Sequence, residues 1–524
     1  MPPFIWRKNM KSVMNHSFAE VSNIKVPRSS FNRSCGLKTT FDAGYLVPVF
    51  VDEVIPGDTF NLRMSHFARL ATPLTPVMDN MYLDTFFFFC PTRLLWDNFK
   101  KFHGEQDDPG DSTDFQIPTM NAPTGGHLNG SLSDYLGIPT EHHASNTLTH
   151  SSLLHRAYNQ IWNEHFRDQN LQDKVVVDTD DGPDTTTDYA LLRRGKRHDY
   201  FTSCLPWPQK ADDGAVSLPL GTSAPVQTDA NITNNVIVYS TNASAYKAMD
   251  ASASLTTLSA TGGVVGDALY ANLSNATAAT IDDLILSFQT QALYRRDARA
   301  GTRYPELTYS HYGVKPYDLL FRPLYLGGGS TPINIHPVAN TAGGTATQGD
   351  LTGYGTSASS GIGFVQSFAE HGYIIGLVSA RADLTYQEGL DRMFSKQDRF
   401  DFYYPALANI GEQAVLNKEI FADGSASDAT VFGYQERWAE YRFKQSKITG
   451  QFRSNYSTSL DSWHLSQEFG SLPTLNSTFI QDNPPIDRVI ATASEPHFIF
   501  DAYFDLVCAR PIPTFSVPSL KQYF

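Results

Sequence analysis

The chain has 524 residues, of which 41% are hydrophobic and 12% aromatic, including 34 Phe and 25 Tyr. Together with 36 Gly and 30 Pro, this favours β-sheet with long connections and excludes disorder, coiled coil and collagen. The net charge of −14 excludes a free nucleic-acid binder held by bulk charge, and four scattered cysteines with no CxxC pair suit a reducing compartment rather than a zinc or disulfide framework.

Residues 1–40 come first and differ from the rest. Seven Lys and Arg, among them Arg7, Lys8 and Lys11, stand against one acid, Glu20, so the segment carries +6. It reads as a basic extended arm, with a solvated tail as the plain alternative. Met1 to Phe18 lacks an apolar h-region, so no signal peptide is expected, and no apolar run reaches the length of a membrane span. Next, 45–54 is apolar and β-branched, Pro56-Gly57-Asp58 is a turn, and 60–66 alternates as a half-buried strand does. Residues 82–90 contain Phe86-Phe87-Phe88-Phe89, a run that must be buried on both faces, as in the centre of a sandwich.

In the middle, apolar residues at helical spacing predict amphipathic helices over 151–168 and 281–298. Residues 211–280 and about 327–361 are rich in Gly, Ala, Ser and Thr and read as long surface insertions. In the last third, strands are expected over 371–384 and through Ala439-Glu440-Tyr441-Arg442-Phe443-Lys444. The cleanest alternation is 498–508, where a slip of one residue would expose a whole apolar face. Strand-forming sequence thus lies at both ends. The expected fold is mainly β: an eight-stranded antiparallel jelly-roll sandwich with very long inserted loops and a few short helices. In it, 41–524 forms a single domain behind the arm.

Signatures of chemistry are sparse. Gly195-Lys196-Arg197 lacks the hydroxyl residue and upstream Gly of a phosphate loop, and no H-E-x-x-H or G-x-S-x-G occurs. His127, His142, His143, His150, His155 and His165 cluster, and His143 with His150, or His155 near Glu164, could hold a metal, yet no ligand spacing fits. Asp178, Asp180, Asp181 and Asp184 superficially resemble a calcium loop, but Pro183 and Tyr189 stand where that loop needs Gly and Glu, so the run is read as an acidic turn. No catalytic residue, cofactor or metal is assigned. The candidate nucleic-acid residues are two basic clusters, Arg193, Arg194, Lys196 and Arg197, and Arg295 and Arg296, together with Arg7, Lys8 and Lys11. Salt bridging to the plentiful acids is the competing reading. A secreted β-sandwich carbohydrate-binding protein or a glycoside hydrolase is the alternative function.

Several longer motifs carry a resemblance. They include Thr40-Phe41-Asp42-Ala43-Gly44-Tyr45-Leu46-Val47-Pro48, Glu53-Val54-Ile55-Pro56-Gly57-Asp58, Tyr200-Phe201-Thr202-Ser203-Cys204-Leu205-Pro206-Trp207-Pro208-Gln209-Lys210 and Tyr434-Gln435-Glu436-Arg437-Trp438-Ala439-Glu440-Tyr441. With these the chain resembles the major capsid proteins of the Microviridae, and within them the gokushoviruses, over all but the two insertions. The resemblance implies a structural, non-enzymatic protein that self-assembles into a T=1 icosahedral shell around circular single-stranded DNA. It implies assembly in the bacterial host cytoplasm and localisation in the virion. It implies that 211–280 forms three-fold protrusions that attach to a host surface receptor. Its implied companions are a small basic DNA-packaging protein, a DNA pilot protein and an internal scaffolding protein.

Overall fold

The computed structural model describes residues 27–141, 147–210, 281–316, 321–341 and 349–515, together with the backbone of short strands between 226 and 271. The chain divides into two compact units: Met1–Pro206 with Lys315–Phe524, and Trp207–Val314.

The first unit is built on one large curled antiparallel sheet. Its strands are β1 (Ser29–Asn32), β2 (Cys35–Phe41), β3 (Val47–Val54), β4 (Thr59–Leu70), β5 (Met81–Pro91), β6 (Leu324–Ala339), β7 (Leu351–Ser367), β8 (Gly372–Ala382) and β9 (Phe498–Arg510). β1 and β2 lie end to end along β9 and form one edge. From that edge the order is β9, β4, β7, β6, β5, β8, β3. Hence β2, β9, β4 and β7 form one four-strand layer and β6, β5, β8 and β3 the other, which is the strand order of a jelly roll.

The alternation in β9 explains the register. Phe498, Phe500, Ala502, Phe504, Leu506 and Cys508 are buried, while Ile499, Asp501, Tyr503, Asp505 and Val507 face outward. β4 alternates in the same phase, and the two pair from Phe498 opposite Leu70 to Ala509 opposite Thr59. Between the layers, aromatic rings meet: Phe50 on β3 lies 5.1 Å from Phe504 on β9, and Phe87 on β5 lies 5.5 Å from Phe364 on β7.

The Phe run serves two cores. Phe87 and Phe89 enter the sandwich. Phe88, on the opposite face, joins Ile375 and Leu377 of β8 in a second core with helix α1 (Leu153–Ile161). Leu153, Ala157 and Ile161 recur at i, i+4 and present one apolar stripe to that sheet. The helix ends in a wider turn over Trp162–Phe166, whose Phe166 ring packs 5.2 Å from Phe86. Both faces of β5 are therefore covered, one by the other sheet and one by a helix.

Three expectations are corrected. Residues 327–361 are not a surface insertion; most of them lie in β6 and β7, in the middle of the sheet. β6 pairs with β5 up to Ile333 and with β7 from Asn334, and β7 then passes to β4 at Thr356, so this hairpin turns the corner between the layers. Its glycines permit close approach rather than looseness. A Cβ on Gly328 would stand 2.1 Å from the Thr85 carbonyl oxygen, and one on Gly355 would meet Ile335 at 2.8 Å and Leu70 at 2.9 Å. Residues Ala439–Tyr441 form a single helical turn, not a strand; the strand lies just upstream at Val431–Glu436. Finally, helix α2 (Ile281–Ala300) forms where expected, yet Ile281, Ile285, Leu286, Phe288 and Leu293 on it are exposed.

In the second unit the backbone forms a three-stranded sheet from Val236–Ser240, Ala245–Ser252 and Leu255–Ser259, and a pair from Val226–Thr228 and Leu269–Ala271. Helices α2 and α3 (Tyr304–Tyr312) follow.

The glycine chemistry gives a prediction with an unusual sign. In a flexible insertion Gly→Ala would be neutral or slightly stabilising. Gly328→Ala should instead cost roughly 1–3 kcal/mol, as overpacking does, read as a lower urea midpoint.

Candidate functional site

The first basic cluster lies on a segment that pairs with the residues just before β3 and with Gln481. The chain at Arg193 bridges Tyr45, with Leu46 N–H donating to Leu192 O and Arg194 N–H to Gly44 O. This pairing anchors Arg193 and Arg194, while Lys196 N–H donates to Ile480 O. Arg193 lies 4.1 Å over the Tyr45 ring and donates to Ala43 O, Asp482 O and Asn483 Oδ1. Arg194 Nη1 and Arg381 Nε donate to the same oxygen, Asp84 Oδ2, at 2.6 and 2.7 Å. Burial would raise the Asp84 carboxyl, but bonds from Ser330, Arg194 and Arg381 outweigh it and hold it below the ordinary carboxylate range. Lys196 is buried, sits 4.3 Å over Phe479 and donates to Gln467 Oε1. Burial lowers its ammonium to about 8 against the pull of Asp482 and Asp199, and raises Asp482 to about 6 against Arg194, Lys196, Arg381 and Arg193. Of the four, Arg197 is the exposed one, 3.6 Å from Asp383. Arg193, Arg194 and Lys196 are thus engaged within the fold.

The other candidates are placed differently. Arg295 and Arg296 lie on α2, the first half-buried and the second exposed. Arg7, Lys8 and Lys11, like His142 and His143, fall outside the described residues.

The acidic turn is a clamp. Arg156 of α1 and Asp184 both have 0% side-chain exposure and form an ion pair, with the Arg156 Nε–H donating to Asp184 Oδ2 at 2.8 Å. The same guanidinium donates to Leu95 O and Asp180 O, and the Tyr189 hydroxyl donates to Asp184 at 2.7 Å. Trp96 Nε1–H donates to Asp181 at 2.6 Å. Burial would raise the Asp184 carboxyl; the bonds from Arg156 and Tyr189 overcome it and hold the group low. Beside this clamp, His127 and His150 share one hydrogen bond between their Nε2 atoms at 2.9 Å, and His155 bonds to Ser133 Oγ at 2.9 Å. Burial, reinforced by His150 and His127, lowers the His155 imidazole to about 3. Among the described residues no group of His, Cys, Asp and Glu is arranged to hold a metal, and no helix among them is long and apolar enough to cross a membrane.

A surface that sequence reading missed lies in the long connection between β8 and β9. Phe394, Phe400, Phe402, Tyr403, Tyr404 and Tyr441 are exposed there, and Lys396, Arg399 and Arg437 sit over rings of this segment. The available signal was the density of aromatics beside Lys and Arg, hidden by reading Ala439–Lys444 as a strand.

Comparison with known proteins decides what such a chain is. Residues 19–520 match the family described as Capsid protein (F protein). The chain belongs to that capsid protein family. It is 47% identical to Capsid protein VP1 of Bdellovibrio phage phiMH2K, across 96% of this chain and 97% of that one. It is 40% identical to Capsid protein VP1 of Chlamydia phage 1, across 98% and 99%, and 34% identical to Capsid protein VP1 of Spiroplasma virus 4, across 97% and 98%.

For a capsid protein the function is structural, and the carbohydrate-binding and glycoside hydrolase alternatives fall. The polar clusters are then read as ties within a subunit. Asp184→Asn should cost about 3 kcal/mol at pH 7, because it leaves buried Arg156 with only the exposed Asp180 carboxylate, 3.4 Å away, as counter-charge. Since the Asp184 carboxyl is held low in the folded chain, its contribution is present above the ordinary carboxylate pKa and is lost as pH falls below about 4. The difference between wild type and variant in urea unfolding should therefore shrink on acidification.

Proposed function

We propose that identical copies of this capsid protein close into a small T=1 icosahedral shell around circular single-stranded DNA, in the bacterial host cytoplasm, and remain in the virion. The observation that carries this reading is the family match over 19–520, joined to a sandwich whose connections far outgrow its strands. Long connections supply the wide contacts of obligate assemblies, and closed symmetry lets one surface serve every copy. The shell protein itself is acidic, at −14. Packaged phosphates need cations, which a small basic DNA-packaging protein and the +6 arm would supply. An internal scaffolding protein and a DNA pilot protein complete the expected partners.

Within this reading the basic arm faces inward, and 211–280 forms three-fold protrusions that bind a host surface receptor. Its small residues and low charge suit an exposed, variable tip. Among the candidate nucleic-acid residues, Arg7, Lys8 and Lys11 are favoured over Arg193, Arg194 and Lys196, whose side chains already have partners in the fold.

Electron microscopy of the purified chain with its scaffolding protein should show discrete shells; a product that stays monomeric under all assembly conditions contradicts the proposal. Deleting 225–270 should leave shells intact and abolish adsorption to host cells, and undiminished adsorption removes the attachment role. Reversing the charge of Arg7, Lys8 and Lys11 should reduce DNA content or particle stability; no change in either makes the arm only a tail.

A further inference from the structure

We infer that the basic–aromatic surface of residues 393–404 and 437–447 receives the acidic loop 105–114 of a second copy of this chain. The inference rests on the assembly reading above and names one contact within it.

The two stretches of the surface form one patch. Tyr403 lies 5.5 Å from Trp438 and 6.3 Å from Tyr441, and Lys396 sits 4.2 Å over the Tyr441 ring and 5.0 Å over Phe402. Arg399 lies 5.4 Å over Phe400, and Arg437 4.5 Å over Trp438 while donating to Phe400 O. Phe394, Phe400 and Phe402 are all more than half exposed, at 67%, 59% and 53%. A patch of this kind on a subunit marks a contact surface. Its two stretches hold six cations against three acids, in a chain whose total is −14. Arg442 pairs with Glu436, and Lys444 and Lys447 reach Asp391 at 3.8 and 3.7 Å, so Lys396, Arg399 and Arg437 are the cations of the patch that form no ion pair among the described residues.

The seating of the cations chooses between occupants. A single-stranded nucleic acid needs open ring faces on which bases stack. Here Lys396 covers rings of Phe402 and Tyr441, and Arg399 covers Phe400. A cation resting on a ring is held in place with its outer side toward solvent, a geometry that suits an incoming carboxylate.

The same chain carries the complement. Residues 105–114 contain Glu105, Asp107, Asp108, Asp111 and Asp114 and no Lys or Arg. Lys101 reaches Asp107 and Asp111 at 3.9 and 3.8 Å, whereas Asp108 and Asp114 stand exposed. The patch and the loop are different surfaces of one subunit, so their pairing is heterologous, the type of contact that closes rings of identical copies. A polar pairing of this kind also fixes which neighbour docks and in what register.

A charge swap tests the contact. Lys396→Glu with Arg399→Glu, and separately Asp108→Lys with Asp114→Lys, should each leave the near-ultraviolet circular dichroism unchanged and cut the yield of shells on a sucrose gradient by about tenfold or more. The four substitutions combined in one chain should restore the yield to near wild type. Shells at wild-type yield from either pair, or a combined chain no better than the pairs, overturn the inference. Normal shells from the first pair that hold less DNA also overturn it, and assign the surface to nucleic acid. If reversal at Lys396 unfolds the chain, Arg399→Glu alone reads the same contact from an exposed position. A wild-type chain that never forms shells defeats the assembly reading itself, whatever the variants do.

Discussion

Burial of β5 on both faces is the constraint from which the rest of the first unit follows. Four consecutive Phe cannot alternate, so a sheet alone would leave two of them in water. Phe87 and Phe89 are taken by the sandwich, and this requires a second layer carrying Phe364 and, opposite β3, Phe504. Phe86 and Phe88 require a cover on the other side, which α1 and its terminal turn provide through Phe166. The cover must itself be tied down, and this accounts for the buried polar groups: Tyr158 donates to Leu46 O, Trp162 to Arg193 O, and Arg156 pairs with Asp184. Each ties the helix to the chain on either side of it rather than to a ligand.

The same logic separates two kinds of positive charge. Arg193, Arg194 and Lys196 lie where the cover meets the sheet, and their partners Asp482, Asp84 and Gln467 come from distant parts of the sequence. Lys396 and Arg399 lie on an exposed connection, seated on the rings of Phe402, Tyr441 and Phe400, with the Lys396 ammonium also donating to the Tyr441 hydroxyl. The first group has its partners within one copy; the second forms no ion pair among the described residues. An uncompensated charge inside a subunit costs far more than one at its rim, so buried cations must find partners within the chain while exposed ones need not.

What could be read from the residues depended on how local the cause was. β9 was legible because its period of two is complete over 498–508 and nothing interrupts it. The Phe run was legible for the opposite reason, since no half-exposed strand tolerates it. Helix 151–168 was legible from its stripe, although its partner was not. Residues 327–361 were misread because glycine looks the same in a loop and in a crowded strand; only the carbonyl of Thr85, far away in sequence, shows why Gly328 lacks a side chain. Ala439–Lys444 alternates by accident, in a helical turn. For the cluster at Arg193–Arg197 the residues left phosphate contact and salt bridging both open, because a charge count contains no information about Asp84, more than a hundred residues earlier, which Arg194 reaches in the fold. Family membership, by contrast, was legible in the motifs, which are long enough to carry it without any knowledge of contacts.

The central claim, that β5 with its two cores organises the subunit, is tested most directly by amide hydrogen exchange of the folded chain, followed by mass spectrometry. Peptides covering Met81–Pro91 and Gly372–Ala382 should exchange last, at the rate of global unfolding, because their amides open only when both cores separate. Exchange of Met81–Pro91 ahead of the exposed β8–β9 connection would contradict it.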